Sequence, residues 1–244
     1  MQLPVIPKSN FTVKLKSLDK SINVSPFTVA QEGIFLEAAQ AKDKESQIAS
    51  VKQIISECIL SEGIDSGKLP FFDLEMLFIK LRIKSIGEIL NLSYVCRHKI
   101  GTDDKDKPIL CETPIKVAVN LNEFEYREDE THETKFMITD DIGITLKYPT
   151  LEMISLMDDD MTDSEAIIDC IDTVFTEDAV YSSTDHTKEE LLNFFKPVTF
   201  IKRKEISDKF FKAAPRPVLK TVAVCEKCGT SHPINMVGIT ELFM

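Results

Sequence analysis

VCEKCGTSHP, Val224–Pro233, is the stretch on which the reading of this chain turns. Cys225 and Cys228 stand three positions apart, and Gly229 follows the second. That is one half of a zinc-binding knuckle, because a structural zinc site is closed by four thiolates or imidazoles. The other half has to come from elsewhere in the chain. The middle of the sequence reads YVC, a polar insert RHKIGTDDKDKPIL, then CETPIKVAVNLNEF; the tail reads AVC, two residues, then CGTSHPINMVGITELF. Each copy has a strand running into a cysteine, a second cysteine, a Pro-Ile pair (Pro114-Ile115 and Pro233-Ile234), a further strand, and a terminal phenylalanine, Phe124 or Phe243. The pattern is two copies of one knuckle, the first enlarged by its insert.

This pairing gives a ligand set of Cys96, Cys111, Cys225 and Cys228, four thiolates for one tetrahedral Zn2+. A closed site of this kind leaves no open position for a substrate. It ties the tail to the central sheet across more than a hundred residues, so that metal-binding free energy becomes folding free energy. The competing reading is four reduced thiols left from a degenerate knuckle, and His98 and His232 are spare ligands that could replace a cysteine. Cys58 and Cys170 fall on helical apolar stripes and read as small core residues.

The bulk composition bounds the function. The chain has 244 residues, 43% hydrophobic and 28% charged, as in soluble globular proteins. Its net charge of −11 opposes nucleic-acid wrapping and anionic membrane surfaces, both of which need Lys and Arg. No apolar run approaches membrane-spanning length, and the N-terminus lacks the charged-then-apolar layout of an export signal. Clustered cysteines in such a chain point to metal rather than disulfides.

Outward from the knuckles, alternation at Phe11, Val13, Leu15 and then Ile22, Val24 predicts a β-hairpin over 11–29. Helical spacing follows over 29–41 and 45–60, the latter carrying Ile48, Val51, Ile55 and Ile59. In KLPFFDLEMLFIKLRIKS, Pro70 precedes a helix whose first turn Asp73 is placed to cap. That helix is apolar nearly all round: Leu74, Leu77, Phe78 and Leu81 form one stripe, and Phe72, Met76, Ile79 and Ile83 a second. It is therefore a central helix or part of an interface, and Phe71, Phe72, Met76, Ile79 and Ile83 are the candidate partner-binding residues. Strands are expected over 86–150, with VAVNLNEF among them, and helices over 151–212: Leu151–Met157, Ser164–Phe175 and Lys188–Phe211, the last interrupted at Pro197. Strands and helices are segregated, which predicts an α+β fold. It comprises an N-terminal β-hairpin and helical bundle, a central antiparallel sheet, and a zinc-ribbon-like knuckle joined by the C-terminal tail. The division is a body, 1–215, and a tail, 216–244, packing back on 94–124.

Other constellations have plainer readings. Asp158–Asp160 with Thr162, Asp163 and Glu165 lack calcium-loop spacing and read as a helix start. Asp103, Asp104 and Asp106 alternate with lysines and read as solvated. Asp185-His186 could suggest an acid–base pair, but Thr187 with Glu190 reads as a capping box. Lys202-Arg203-Lys204 reads as a solvated helix face. No Gly-rich phosphate loop, HExxH or GxSxG occurs, and nothing points to an enzyme or a small-molecule substrate.

Several stretches together carry a resemblance: SPFTVAQEGIFLEAA, VKQIISECI, IDSGKLPFFDLEMLFIKLRIKSIGE, TDDIGITLKYP, and the knuckle tail ending in ELF. The chain resembles the baseplate hub protein family of T4-like contractile-tailed bacteriophages along most of its length, with KLPxFDLExLFxxLRxKSxGE the most specific block. The family often shows a compact CxxC in the middle knuckle, which here is stretched to Cys96…Cys111. The resemblance implies a virus-encoded, non-enzymatic protein needed to build the central hub of the tail baseplate. Its implied partners are other hub or tail proteins, or itself, and its implied place is the virion after synthesis in the host bacterial cytoplasm. Members act as hub subunits or as assembly factors, so a transient hub chaperone absent from the mature virion is the alternative. A zinc-ribbon nucleic-acid-binding protein is a third reading; only Arg97, Lys99, Lys220 and Lys227 stand near the knuckles to support it.

Overall fold

The computed structural model describes residues 4, 6–7, 9–31, 33–34, 44–127, 129–155 and 161–239, the side chains of 44–48 and 155 excepted. Phe243, Asp158–Asp160, Ile48's side chain and most of the helix expected over 29–41 lie outside the described residues; 29–31 and 33–34 are helical.

The alternating N-terminal residues form strands β1 (Phe11–Val13) and β2 (Ile22–Val24), antiparallel with Phe11 opposite Val24. Val13, Ile22 and Val24 are buried. Helix α1 (Lys44–Cys58) buries Ile54, Ile55 and Cys58. Its end is sewn to the hairpin: Ser25 N–H donates to Cys58 O (2.8 Å) and Leu60 N–H to Asn23 O (2.9 Å).

Helix α2 (Phe71–Ser85) lies at the centre and buries eight residues: Phe72, Asp73, Leu74, Met76, Leu77, Phe78, Ile79 and Leu81. Its N-cap is Pro70, with no side-chain cap. The expected capping by Asp73 does not occur. Its carboxylate instead accepts the backbone N–H groups of Lys16 (2.9 Å) and Ser17 (2.8 Å), in the hairpin turn, and the hydroxyl of Tyr126. Amides left open by a tight turn compete for the same acceptor as a helix start, and here they win.

Strand β3 (Ile89–Val95) pairs antiparallel with a later strand, Val95 standing opposite Pro114. The insert between them, expected as a loop, is a second hairpin, β4 (Lys99–Thr102) and β5 (Pro108–Leu110), whose strands pair with one another. β6 (Pro114–Asn120) completes the β3 pair, and β7 (Glu125–Arg127) follows. Next come β8 (Lys135–Met137), β9 (Gly143–Leu146), α3 (Leu151–Ser155) and α4 (Asp163–Asp169). The helix expected through Phe175 stops at Cys170, and β10 (Ile171–Phe175) pairs with β9. Ile171, Thr173 and Val174 are β-branched and fit a pleated surface with a ready partner strand. β11 (Val180–Ser182), α5 (Lys188–Phe195) and α6 (Phe200–Ile206) follow, and α6 runs into a π-helical turn, Ser207–Lys212. Capping boxes start α4 at Thr162 with Glu165 and α5 at Thr187 with Glu190. Finally, β12 (Arg216–Val224) pairs with β7 on one side and with β13 (Ser231–Val237) on the other.

All pairings among the described strands are antiparallel, and the chain is α+β. Two hydrophobic cores result. The first joins the N-terminal hairpin, α1, α2 and the β3–β6 pair to Leu219, Ala223, Ile234 and Met236 of the last hairpin. The second draws on Phe136 through Phe210 and is built by the four-stranded sheet β11-β10-β9-β8 with α4, α5 and α6. Aromatic rings join them: Phe72 meets Tyr148 edge-on at 5.0 Å, and Tyr148 stacks with His132 and Phe210. Beside these rings lies a cleft of about 340 Å³ lined by Phe71, Glu75, Phe211, Arg216 and Val237 among others.

Candidate metal centre

Both knuckles close in the same way at the backbone. In the middle copy, Cys96 N–H donates to Thr113 O (2.9 Å) and Glu112 N–H to Cys96 O (2.8 Å). In the tail, Cys225 N–H donates to Thr230 O (2.9 Å) and Gly229 N–H to Cys225 O (2.8 Å). Cys96, Cys111, Glu112 and Thr113 are thus the structural equivalents of Cys225, Cys228, Gly229 and Thr230. The residue after the second cysteine is left-handed in both, with φ +70° at Gly229 and +55° at Glu112. Glycine takes that region freely and glutamate does so at a cost of about 1 kcal/mol, so the turn, not the residue, dictates the conformation at Glu112.

The two knuckles face one another. Cys96 Sγ lies 3.6 Å from Cys228 Sγ, and Cys111 Sγ 3.7 Å from Cys225 Sγ. All four sulfurs lie within 4.8 Å of one another, and among the described residues this is the group able to hold a metal ion. Cys96, Cys111 and Cys225 are buried and Cys228 is half-buried. Thiolates bound tetrahedrally at 2.3 Å define an edge of about 3.8 Å, so the sulfurs are already close to the spacing a metal imposes.

The sulfurs sit among donors. The Thr113 hydroxyl is 3.2 Å from Cys111 Sγ; the Cys228 thiol donates to the Thr230 hydroxyl oxygen at 3.3 Å, a bond in which the hydroxyl becomes the donor once the sulfur is a thiolate. Each threonine also presents its backbone N–H to the same sulfur, and His98 N–H serves Cys96. The Thr230 donors hold the Cys228 thiol well below its usual range, and the Thr113 hydroxyl holds Cys111 down. Burial pushes Cys96 up. His232 Nε2 stands 3.2 Å from Cys96 Sγ. The two threonines were missed in the sequence reading, although CET and CGT repeat the same offset after each second cysteine.

The candidate partner-binding residues are placed differently from expectation. Phe72, Met76 and Ile79 are buried within the chain, 6%, 3% and 0% exposed. Their side chains are taken up by packing within their own chain. Phe71 and Ile83 are half-buried and pack at the margin of the first core. Asp185 and His186 make no pair; His186 Nδ1 lies 3.9 Å from Glu190. Arg203 is half-buried over the Phe200 ring rather than solvated. Cys58 and Cys170 are core, 1% and 0% exposed, and burial pushes the Cys170 thiol up to about 12. No helix among the described residues is long and apolar enough to cross a membrane.

The architecture is that of an α+β protein with two antiparallel cysteine hairpins brought face to face, their four sulfurs within 4.8 Å of one another. The chain belongs to the T4 bacteriophage base plate protein family, whose model matches residues 6–244. Membership implies a structural role in the baseplate of the virion tail, among other phage tail proteins. No curated protein and no solved structure matches the chain.

Proposed function

We propose that the chain is a non-enzymatic component of the central hub of a contractile-tail baseplate, working through contacts with other tail proteins. The family match over 6–244 carries this reading. An outward apolar pair, Phe200 and Ile201, each above 80% exposed, is surface of the kind such a role uses. Phe71 and Ile83 keep partial exposure for the same purpose.

A structural zinc ion on Cys96, Cys111, Cys225 and Cys228 is part of the proposal. Sulfur spacings of 3.6 and 3.7 Å support it, as does an all-thiolate donor set, which suits zinc and leaves no position for substrate. The ion would make 216–244 a clasp on 94–124. Cys225→Ser is expected to lose stoichiometric zinc, measured by elemental analysis, with a lowered unfolding midpoint. A wild-type chain that purifies metal-free at full stability would remove zinc from the proposal.

Quantifying this chain by mass spectrometry in purified mature particles, against tube and baseplate proteins, tests the role. A fixed integer ratio is the expected result. Absence from particles with abundance in unassembled intermediates would replace the hub subunit with a transient assembly chaperone.

A further inference from the structure

We propose that His232, with Thr113 and Thr230, forms a hydrogen-bonded shell around the metal-bound thiolates, and that His232 is a cross-knuckle donor to Cys96 rather than a ligand. This rests on the zinc reading. Four thiolates and a divalent ion leave a net charge of −2, on sulfurs of which three are buried. Charge of that kind is tolerated inside a protein only where donors meet it. Backbone N–H groups and the two threonine hydroxyls meet Cys111 and Cys228 from within each knuckle. Cys96, fully buried, has the His98 amide and, at 3.2 Å, His232 Nε2 from the opposite hairpin.

The repeat shows that His232 has no counterpart in the middle copy. After the equivalent threonines, the middle copy goes directly to Pro114-Ile115, whereas the tail inserts Ser231-His232 before Pro233-Ile234. Two extra residues in a strand preserve which face each later residue occupies, so the insertion leaves the core pattern intact. Ile234 accordingly remains buried, like Ile115. What the insertion adds is a side chain opposite Ala223 that reaches across to Cys96. A metal-bound thiolate can only accept, so the imidazole carries its proton on Nε2. The group able to hold an ion comprises the four sulfurs and does not include this nitrogen.

The test is a cobalt(II) titration of the metal-free full chain, following the thiolate-to-metal charge-transfer and d–d bands, with affinity set by chelator competition. His232→Leu is expected to weaken cobalt binding about 10- to 100-fold while keeping the tetrathiolate band pattern. His232→Gln, which keeps an N–H donor, is expected to restore most of it. Thr113→Val and Thr230→Val should each weaken binding in the same way, and they carry the test if His232→Leu does not fold. Unchanged affinity in the leucine variant and both valine variants would overturn the shell. A band pattern that changes on losing His232 would make it a ligand and overturn its role as donor. A wild-type chain that binds no cobalt with tetrathiolate bands would overturn the metal reading itself, a result distinct from the other two.

Discussion

Asp73 stands three residues beyond Pro70, where a carboxylate ordinarily serves its own helix. It is fully buried and serves other segments: the amides of Lys16 and Ser17 and the hydroxyl of Tyr126. Asp73→Asn would set an amide N–H against these donors, and an expected loss of about 2–4 kcal/mol follows, read from denaturant unfolding. Two residues on, Glu75 shows the opposite electrostatics. Burial beside the aromatic cleft raises its carboxyl from 4.5 to about 7, with the Ile239 N–H and Arg216 opposing the rise. The fold therefore favours the protonated form. The stability it contributes is complete below pH 4.5 and is lost as pH rises through about 7. Glu75→Gln is expected to match the wild type near pH 4 and to exceed it near pH 8, by at most about 3 kcal/mol, in unfolding midpoints compared at the two pH values.

At the scale of elements, most of what the sequence carried was periodicity, and it located the hairpin, α1, α2, the break near Pro197 and both knuckle strand pairs. What it could not carry was competition between partners. Residues 171–175 extend a helical spacing from α4, and only the presence of β9 alongside turns them into a strand. The insert 97–110 looked like a loop because its charges mask the two short strands that pair with one another. The second stripe of α2 looked like an interface because a sequence does not say which of its own segments will cover a face. The clustering of Cys96, Cys111, Cys225 and Cys228 was legible because the same cysteine pattern occurs twice; the threonine and histidine around the sulfurs required coordinates. Replacing Arg97–Leu110 with the two-residue Glu-Lys link of the tail tests how far the copies are equivalent. Cys96 takes its amide donor from two residues on, which such a link retains. Metal stoichiometry is expected to hold, with stability within about 2 kcal/mol of the parent by calorimetry. Loss of metal would mean that the β4–β5 hairpin shapes the site.

The whole molecule has two cores of different make-up, joined by the Phe72, Tyr148, His132 and Phe210 rings. Only the first core contains the four clustered cysteines on which the proposed zinc ion would sit. Chelation is therefore expected to raise amide hydrogen exchange at Leu90, Val119, Leu219 and Met236 well before Ile144 and Val174, since local openings follow packed units. Simultaneous loss of protection would show the rings weld both cores into one cooperative unit. The pairing of Cys96 with Cys228, 132 residues apart, also sets an order in time. The second core is one unbroken stretch of chain and can close as soon as it leaves the ribosome. The first has to wait, half-built, for Leu219 through Met236 to emerge. During synthesis, the β1–β2 hairpin is thus made long before the core that holds it can be sealed.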